Sequence, residues 1–291
     1  MNFAPVCTLF HRNVLTLHFL ACRIYHMKAL GKIETRFFAY VQMMDVETVR
    51  TGDIQAALKL SPEQERQLLS RLSRTGMITR VRRGVYLVPE ELPFGGLWTP
   101  AEALVFNTLI GERGGRYQVC GLNAFNYYGY DEQVPARIYA YNDIISGERT
   151  VGAITLNLIK VDRRRLGDTV RVKTQKGPVI YPTRVRTLVD AVYDWARFDT
   201  LPRAYGWIRN DLRTGKVSAP ALAKCTLRFG DVGTVRRIGA LLESEGADKG
   251  LLLTLEKTLK SSTSLIPSNP RRPKRGRINR RWGIVENEQN E

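Results

Sequence analysis

The chain has 291 residues, enough for two domains of ordinary size, and its 43% hydrophobic and 25% charged residues are the balance of a folded, globular protein, which excludes wholesale disorder. Lys and Arg number 45 against 28 Asp and Glu, and the formal net charge of +17 favours anionic partners, nucleic acid before an acidic membrane face. All three histidines (His11, His18, His26) precede Met27, and the cysteines at 7, 22, 120 and 225 form no C-x-x-C pair, so Ser-His-Asp and Cys-His catalysis, histidine-ligated zinc and zinc ribbons are excluded from the main body.

Scattered thiols fit a reducing compartment, and a cytoplasmic location is expected. Residues 14–22 are apolar but too short to span a bilayer, and no small-residue cleavage site follows them. The first 26 residues therefore read as an over-extended start or a non-essential arm, with Met27, Met43 and Met44 as alternative starts.

Phe37, Phe38, Val41 and Met44 recur at helical spacing and predict a first helix ending near Met44. Thr51-Gly52-Asp53 opens a short second helix carrying Ile54, Ala57 and Leu58. Ser61-Pro62-Glu63-Gln64 is a capping box with proline at the first helical position, so a third helix starts at Pro62 and ends near Thr75-Gly76. Leu68, Leu69 and Leu72 share one face of that helix. Glu63, Arg66, Gln67, Ser70 and Arg74 occupy the opposite face, with Arg71 at its flank. Arginine, glutamine and serine are side chains that reach phosphates and base edges in a major groove. Two short strands follow, joined by a turn at Arg82-Arg83-Gly84, and place Arg80, Arg82 and Arg83 on a hairpin. Three helices and a basic hairpin in this order predict a winged helix-turn-helix. Its DNA-binding residues are Arg66, Gln67, Ser70, Arg71, Arg74, Arg80, Arg82 and Arg83, with Arg66 and Arg74 expected to set affinity and sequence choice. The bland alternative is a solvated outer face on an ordinary three-helix bundle.

Residues 90–96 read as a linker. Thr99-Pro100-Ala101-Glu102 is a second capping-box pattern and predicts a helix start at Thr99. Strand-like runs at 137–141, 153–161, 169–173 and 179–181 precede helical runs at 186–195, 201–211, 218–228, 232–245 and 249–259. The expected fold class is α+β. It comprises a winged helix-turn-helix over 27–89, a larger mixed α+β domain over 97–266 with a helical C-terminal part, and a basic tail over 267–291.

No catalytic set converges in this sequence, and no cofactor or metal is expected. Gly111-Glu112-Arg113-Gly114-Gly115 lacks the strand and helix context of a phosphate loop. Glu243, Glu245, Asp248 and Lys249 sit at a helix end and read as a solvated turn before a metal site, and Asp190 and Asp194 on one helical face read as structural or surface residues before an acid/base pair. Arg163-Arg164-Arg165 lies between two strands. Residues 267–282 hold seven cations and no acid. That composition reads as a flexible end that adds phosphate affinity without base reading, although Trp282-Gly283-Ile284-Val285 at its close offers a strand that docks.

Several segments together resemble the AbiEi antitoxins: the winged-helix start, the run from Arg82 to Pro89, Thr99-Pro100-Ala101-Glu102, Gly121-Leu122-Asn123-Ala124-Phe125 with Tyr128-Gly129, the run from Pro182 to Asp190 with its Arg186-Thr187-Leu188-Val189-Asp190 helix start, and a closing Pro273-x-x-Gly276-x-x-x-x-Arg281-Trp282-Gly283. The resemblance runs from about Met27 to the end. It implies a type IV toxin–antitoxin component of abortive infection (phage defence), encoded beside a nucleotidyltransferase-like toxin. It further implies a winged helix that binds inverted repeats of double-stranded DNA in its own promoter, repressing transcription, and a C-terminal domain needed for antitoxicity. It also implies that the toxin is countered without a stable complex, and neither a membrane partner nor an enzymatic activity is expected. The rival readings are a DNA-targeted nuclease using the C-terminal carboxylates, a winged-helix regulator without antitoxin activity, and a module whose charge only binds RNA or membrane.

Overall fold

The computed structural model describes residues 30–92, 97–259 and 264–287. The expectations for the first 26 residues, and for residues 93–96 of the linker, lie outside the described residues. The fold is mixed α and β, and the chain forms two compact units. One contains the described residues up to Leu109 together with Thr150–Ile154. The other contains Ile110–Arg149 and the residues from Thr155 onward.

The first unit runs α1 (Lys32–Met43), β1 (Thr48–Arg50), α2 (Gln55–Leu58), α3 (Pro62–Arg74), β2 (Thr79–Arg82), β3 (Val85–Leu87) and α4 (Glu102–Leu109). Phe37, Phe38 and Val41 of α1 close on Ile54, Leu58, Leu68, Leu69 and Leu72 to make one core. Met44 does not join them, because the helix ends at Met43 and leaves it exposed. The wing has three strands in the order β1-β3-β2, where the sequence predicts two. β1 is only three residues long, too short for alternation to show. The helix expected from Thr99 starts at Glu102, with the Val105 N–H on the Ala101 carbonyl at 3.1 Å. The Trp98 N–H is tied to the Gly76 carbonyl at 2.9 Å and Pro100 is buried, so the chain stays extended past the apparent cap.

The second unit runs β4 (Tyr117–Val119), α5 (Gly121–Tyr127), β5 (Ile138–Asn142), β6 (Gly147–Val151), β7 (Ile154–Lys160), β8 (Thr169–Thr174), β9 (Gly177–Pro182), α6 (Arg184–Tyr193), α7 (Trp195–Phe198), α8 (Arg203–Arg213), α9 (Ala219–Phe229), α10 (Val232–Ser244), α11 (Lys249–Glu256), β10 (Ile266–Pro267), β11 (Arg277–Asn279) and β12 (Ile284–Glu286). The tip of the β6–β7 hairpin is the piece that groups with the first unit. A four-stranded sheet has the order β4-β5-β7-β6, with β5 and β7 parallel, and β8 and β9 form an antiparallel hairpin. The core centres on α6, whose Leu188, Val189, Ala191 and Val192 are buried.

As far as Asn287, the basic stretch after Pro267 is held in the fold. Its β11 and β12 form a three-stranded sheet with β10, in the order β10-β12-β11. The docking strand that Trp282-Gly283-Ile284-Val285 offers is the reading the structure bears out. Trp282 is buried, its Nε1–H donates to Glu243 Oε2 at 2.8 Å, and Arg281 pairs with Glu243 at 2.8 Å and Glu256 at 2.9 Å.

Candidate nucleic-acid interface

The third helix is built as its first four residues dictate. Ser61 Oγ accepts from the Gln64 N–H at 3.2 Å, Gln64 Oε1 accepts from the Ser61 N–H at 2.9 Å, and Pro62 occupies the first turn. With the helix start fixed and Leu68, Leu69 and Leu72 in the core, Arg66, Gln67, Ser70, Arg71 and Arg74 all lie exposed on the outer side. Glu63 sits among them. It pairs with Arg66 and accepts from Gln67 Nε2 at 3.2 Å, and the hydrogen bond from Arg66 holds its carboxyl below the usual carboxylate range. Two side chains able to read bases are thereby held side by side near the helix N-terminus, the end that meets base edges in helix-turn-helix proteins. Arg71 turns instead toward α1, pairing with Glu34 at 2.5 Å. Arg74 makes no ion pair among the described residues.

The hairpin divides its arginines. Arg80 and Arg83 are exposed, and neither pairs with an acid among the described residues. Gly84 closes the turn at φ 72°, and its carbonyl accepts from the Thr51 N–H at 2.9 Å. A register shift lies between Arg80, opposite Tyr86, and Arg82, opposite Val85. Arg82 is consequently half-buried with its Nε covered, so the exposed tip of the wing is Arg83 and not the Arg82-Arg83 pair.

Sequence reasoning missed Glu65. It is fully buried on the leucine side of α3, where its carboxylate accepts from the Gly52 N–H at 3.0 and 2.9 Å, the Ile54 N–H at 3.4 Å and Gln55 Nε2 at 2.7 Å. It locks the turn before α2 to α3 and so sets the angle of the outer face. The signal was present: an acid three residues before Leu68 and four before Leu69 stands on the apolar stripe. Glu65→Ala is expected to cost the first unit about 1.5–3 kcal/mol, since charge-assisted bonds are lost and backbone donors are left buried. A urea titration of the full chain, following the α1–α3 amides by hydrogen exchange, measures it. Protection unchanged there means water replaces the carboxylate.

The remaining acids are held within the fold. Asp190 lies between Arg165 and Arg186. Asp194 accepts from the Tyr141 hydroxyl at 2.9 Å and Arg197 Nε at 2.9 Å. Glu243 is not the solvated turn residue expected, since Arg281 and Trp282 hold it. Glu245 pairs with Arg209 and Arg213, and Asp248 caps α11. Among the described residues no group of three or more His, Cys, Asp or Glu is placed to hold a metal ion. No helix among them is long and apolar enough to cross a membrane.

The capped third helix, the turn before it and the basic wing have a counterpart among known families. Residues 41–89 match the family of AbiEi antitoxin transcriptional regulators. The match begins in the last turn of α1 and ends two residues after β3, so it spans the helix-turn-helix and its wing. In three dimensions the chain is similar to the crystal structure of the RV2827C protein from Mycobacterium tuberculosis, at a TM-score of 0.55 and 13% identity, over 89% of this chain and 92% of that one. At that identity the likeness is one of fold. Comparison with curated proteins finds no match.

Proposed function

We propose that this protein is a DNA-binding antitoxin, not an enzyme, that represses its own operon by binding inverted repeats in the promoter. On this reading it counters a nucleotidyltransferase-like toxin of a type IV system without forming a stable complex. The observation that carries the proposal is a coincidence of place. The segment matching the AbiEi regulators is the segment whose exposed face is Arg66, Gln67, Ser70 and Arg74 beside a wing bearing Arg80 and Arg83. The helix reads bases and the wing meets phosphate.

The test is a gel-shift titration on the promoter of the chain's own operon. Arg66→Ala and Arg74→Ala are each expected to weaken binding roughly tenfold while leaving the fold intact, because one bidentate arginine–guanine pair supplies about 1–3 kcal/mol of discrimination. Unchanged affinity in both variants removes this face from the reading. Cleavage of plasmid DNA in magnesium favours the nuclease instead. Failure of the full chain to rescue cells making the neighbouring toxin leaves a regulator without antitoxin activity.

Arg83→Ala separates charge from reading. Loss of one phosphate contact is expected to lower the slope of log affinity against log salt by about 0.9, on operator and scrambled duplex alike. A loss confined to operator DNA, with the slope unchanged, assigns base reading to the wing. Arg272, Lys274, Arg275, Arg277 and Arg280 are exposed on or beside the terminal sheet, so their contribution to the slope comes from held positions and not from a loose end.

A further inference from the structure

Three buried arginines of the second unit are satisfied differently. Arg186 faces Asp190, and Arg236 donates to the carbonyls of Ser264, Trp282 and Gly283. Among the described residues, Arg237 has no carboxylate and only one long carbonyl bond. It is 8% exposed, its Nε is covered and bonded to nothing among the described residues, and its one hydrogen bond runs 3.4 Å to the Pro267 carbonyl. Its guanidinium lies 5.6 Å from the Trp195 ring centroid, and no carboxylate among the described residues pairs with it. A buried cation without a counter-charge is costly, and the usual remedy is an anion.

Arg237 lines a cleft of about 280 Å³. Leu241 and Ser244 follow it on the same face of α10, at four- and seven-residue spacing. Tyr205 and Arg209 come from one face of α8, and Ile284 from β12 closes the apolar side. Arg209 stands at the mouth, its side chain 38% exposed, with Nε on Glu245 at 3.1 Å and its two terminal nitrogens bonded to nothing among the described residues. A covered guanidinium inside and a second one at the entrance match the planar, two-pronged acceptors of a phosphate or carboxylate. The volume falls just below the range of drug-sized pockets, which suits a small metabolite. The one acid on the lining, Glu286, is exposed and makes no ion pair with either arginine.

We infer that this cleft is a binding site for a small molecule carrying an oxyanion, held between Arg237 and Arg209 with its apolar part against Leu241 and Ile284. The ligand bridges α8, α10 and the terminal sheet, and the site is separate from the DNA-reading face of the first unit.

The experiment uses the full chain at constant ionic strength, with inorganic phosphate, glycerol 3-phosphate and succinate as probes and glycerol as the uncharged control. Calorimetry and thermal unfolding are both read. At least one anion is expected to bind with one equivalent and raise Tm, as a ligand that prefers the folded state must, while glycerol does neither. The phosphate and succinate arms distinguish the two sources of the oxyanion. Arg237→Met, close in length and uncharged, is expected to abolish binding, and Arg209→Ala to weaken it roughly tenfold. Should Arg237→Met fail to fold, Ala240→Leu narrows the same cleft with Arg237 in place and is expected to abolish binding too. Absence of heat and of a Tm change with all three anions at millimolar concentration overturns the proposal. So does binding that survives Ala240→Leu.

Discussion

Replacing Asp190 by alanine is expected to cost the second unit about 3–5 kcal/mol, a large share of the 5–15 kcal/mol typical of a whole domain. Its carboxylate is 2% exposed and accepts from Arg186 Nε at 2.9 Å and from an Arg165 terminal nitrogen at 2.6 Å. Arg186 is wholly buried, 3.8 Å from the Phe229 ring centroid, and its other nitrogens reach the Arg165 carbonyl at 2.8 Å and the Gly167 carbonyl at 3.4 Å. Arg165 in turn lies over the Tyr193 ring at 3.5 Å. One carboxylate therefore balances two arginines in the core, and its removal leaves both without a counter-charge. The double variant Asp190→Ala/Arg186→Met is expected to recover part of the loss, because a buried apolar side chain replaces an unpaired charge. Urea unfolding followed by far-UV CD, with hydrogen exchange at the α6 amides, gives both values. A loss below about 1 kcal/mol, the scale of an exposed pair, means that water reaches this site.

This network gives a physical reason for a short motif. In Arg186-Thr187-Leu188-Val189-Asp190 the first and last residues are one helical turn apart and pair, Leu188 enters the core, and the Thr187 hydroxyl donates to the Thr183 carbonyl at 2.9 Å. A sequence alone shows the spacing but not that both charges are buried.

Four helices of the second unit were legible because their starts are written locally. Thr183, Ser218, Asp231 and Asp248 each place a side-chain oxygen on the amide three residues on, and the predicted runs overlap the observed helices closely. The missed elements lack such marks. β1 and β4 have three residues each, four of the five residues of β6 are exposed, and α5 opens on Cys120 with no side-chain cap. On the outer face of α3 the helical spacing puts every one of these residues on the exposed side but does not show Arg71 drawn to Glu34, or Arg66 and Gln67 tethered by Glu63. Partner choice across helices is a tertiary fact. The same holds for the tail: prolines and cations at 267–281 read as loose chain, and the acid that anchors them, Glu243, lies about forty residues earlier.

Trp282→Ala is expected to release that terminal sheet, at a cost of about 3–5 kcal/mol for a buried tryptophan. Trp282 is 1% exposed, and its carbonyl accepts from Arg236 Nε at 2.5 Å. Its ring lies against Gly239 of α10 so closely that a Cβ there would overlap it, and Gly239→Ala is therefore expected to loosen the sheet with the tryptophan still present. Acid should act on the same contact. Burial alone would raise the Glu243 carboxyl, but the hydrogen bonds from Arg281, Asn279 and Trp282 outweigh it and hold the group below its ordinary value. A carboxyl depressed in the folded state stabilises above its unfolded value, near pH 4.3, and that stabilisation is lost as pH falls through the lower folded value. The sheet of the unaltered protein is thus expected to loosen in acid below about pH 4, and Glu243→Gln to blunt that dependence. The Ile266 and Ser268 amides report it directly, since they donate to the Gly283 and Val285 carbonyls at 3.0 and 2.9 Å and exchange only when β10 leaves β12. Their protection unchanged in both Trp282→Ala and Gly239→Ala would mean that the ion pairs of Arg281, and not the indole, hold the basic sheet in place.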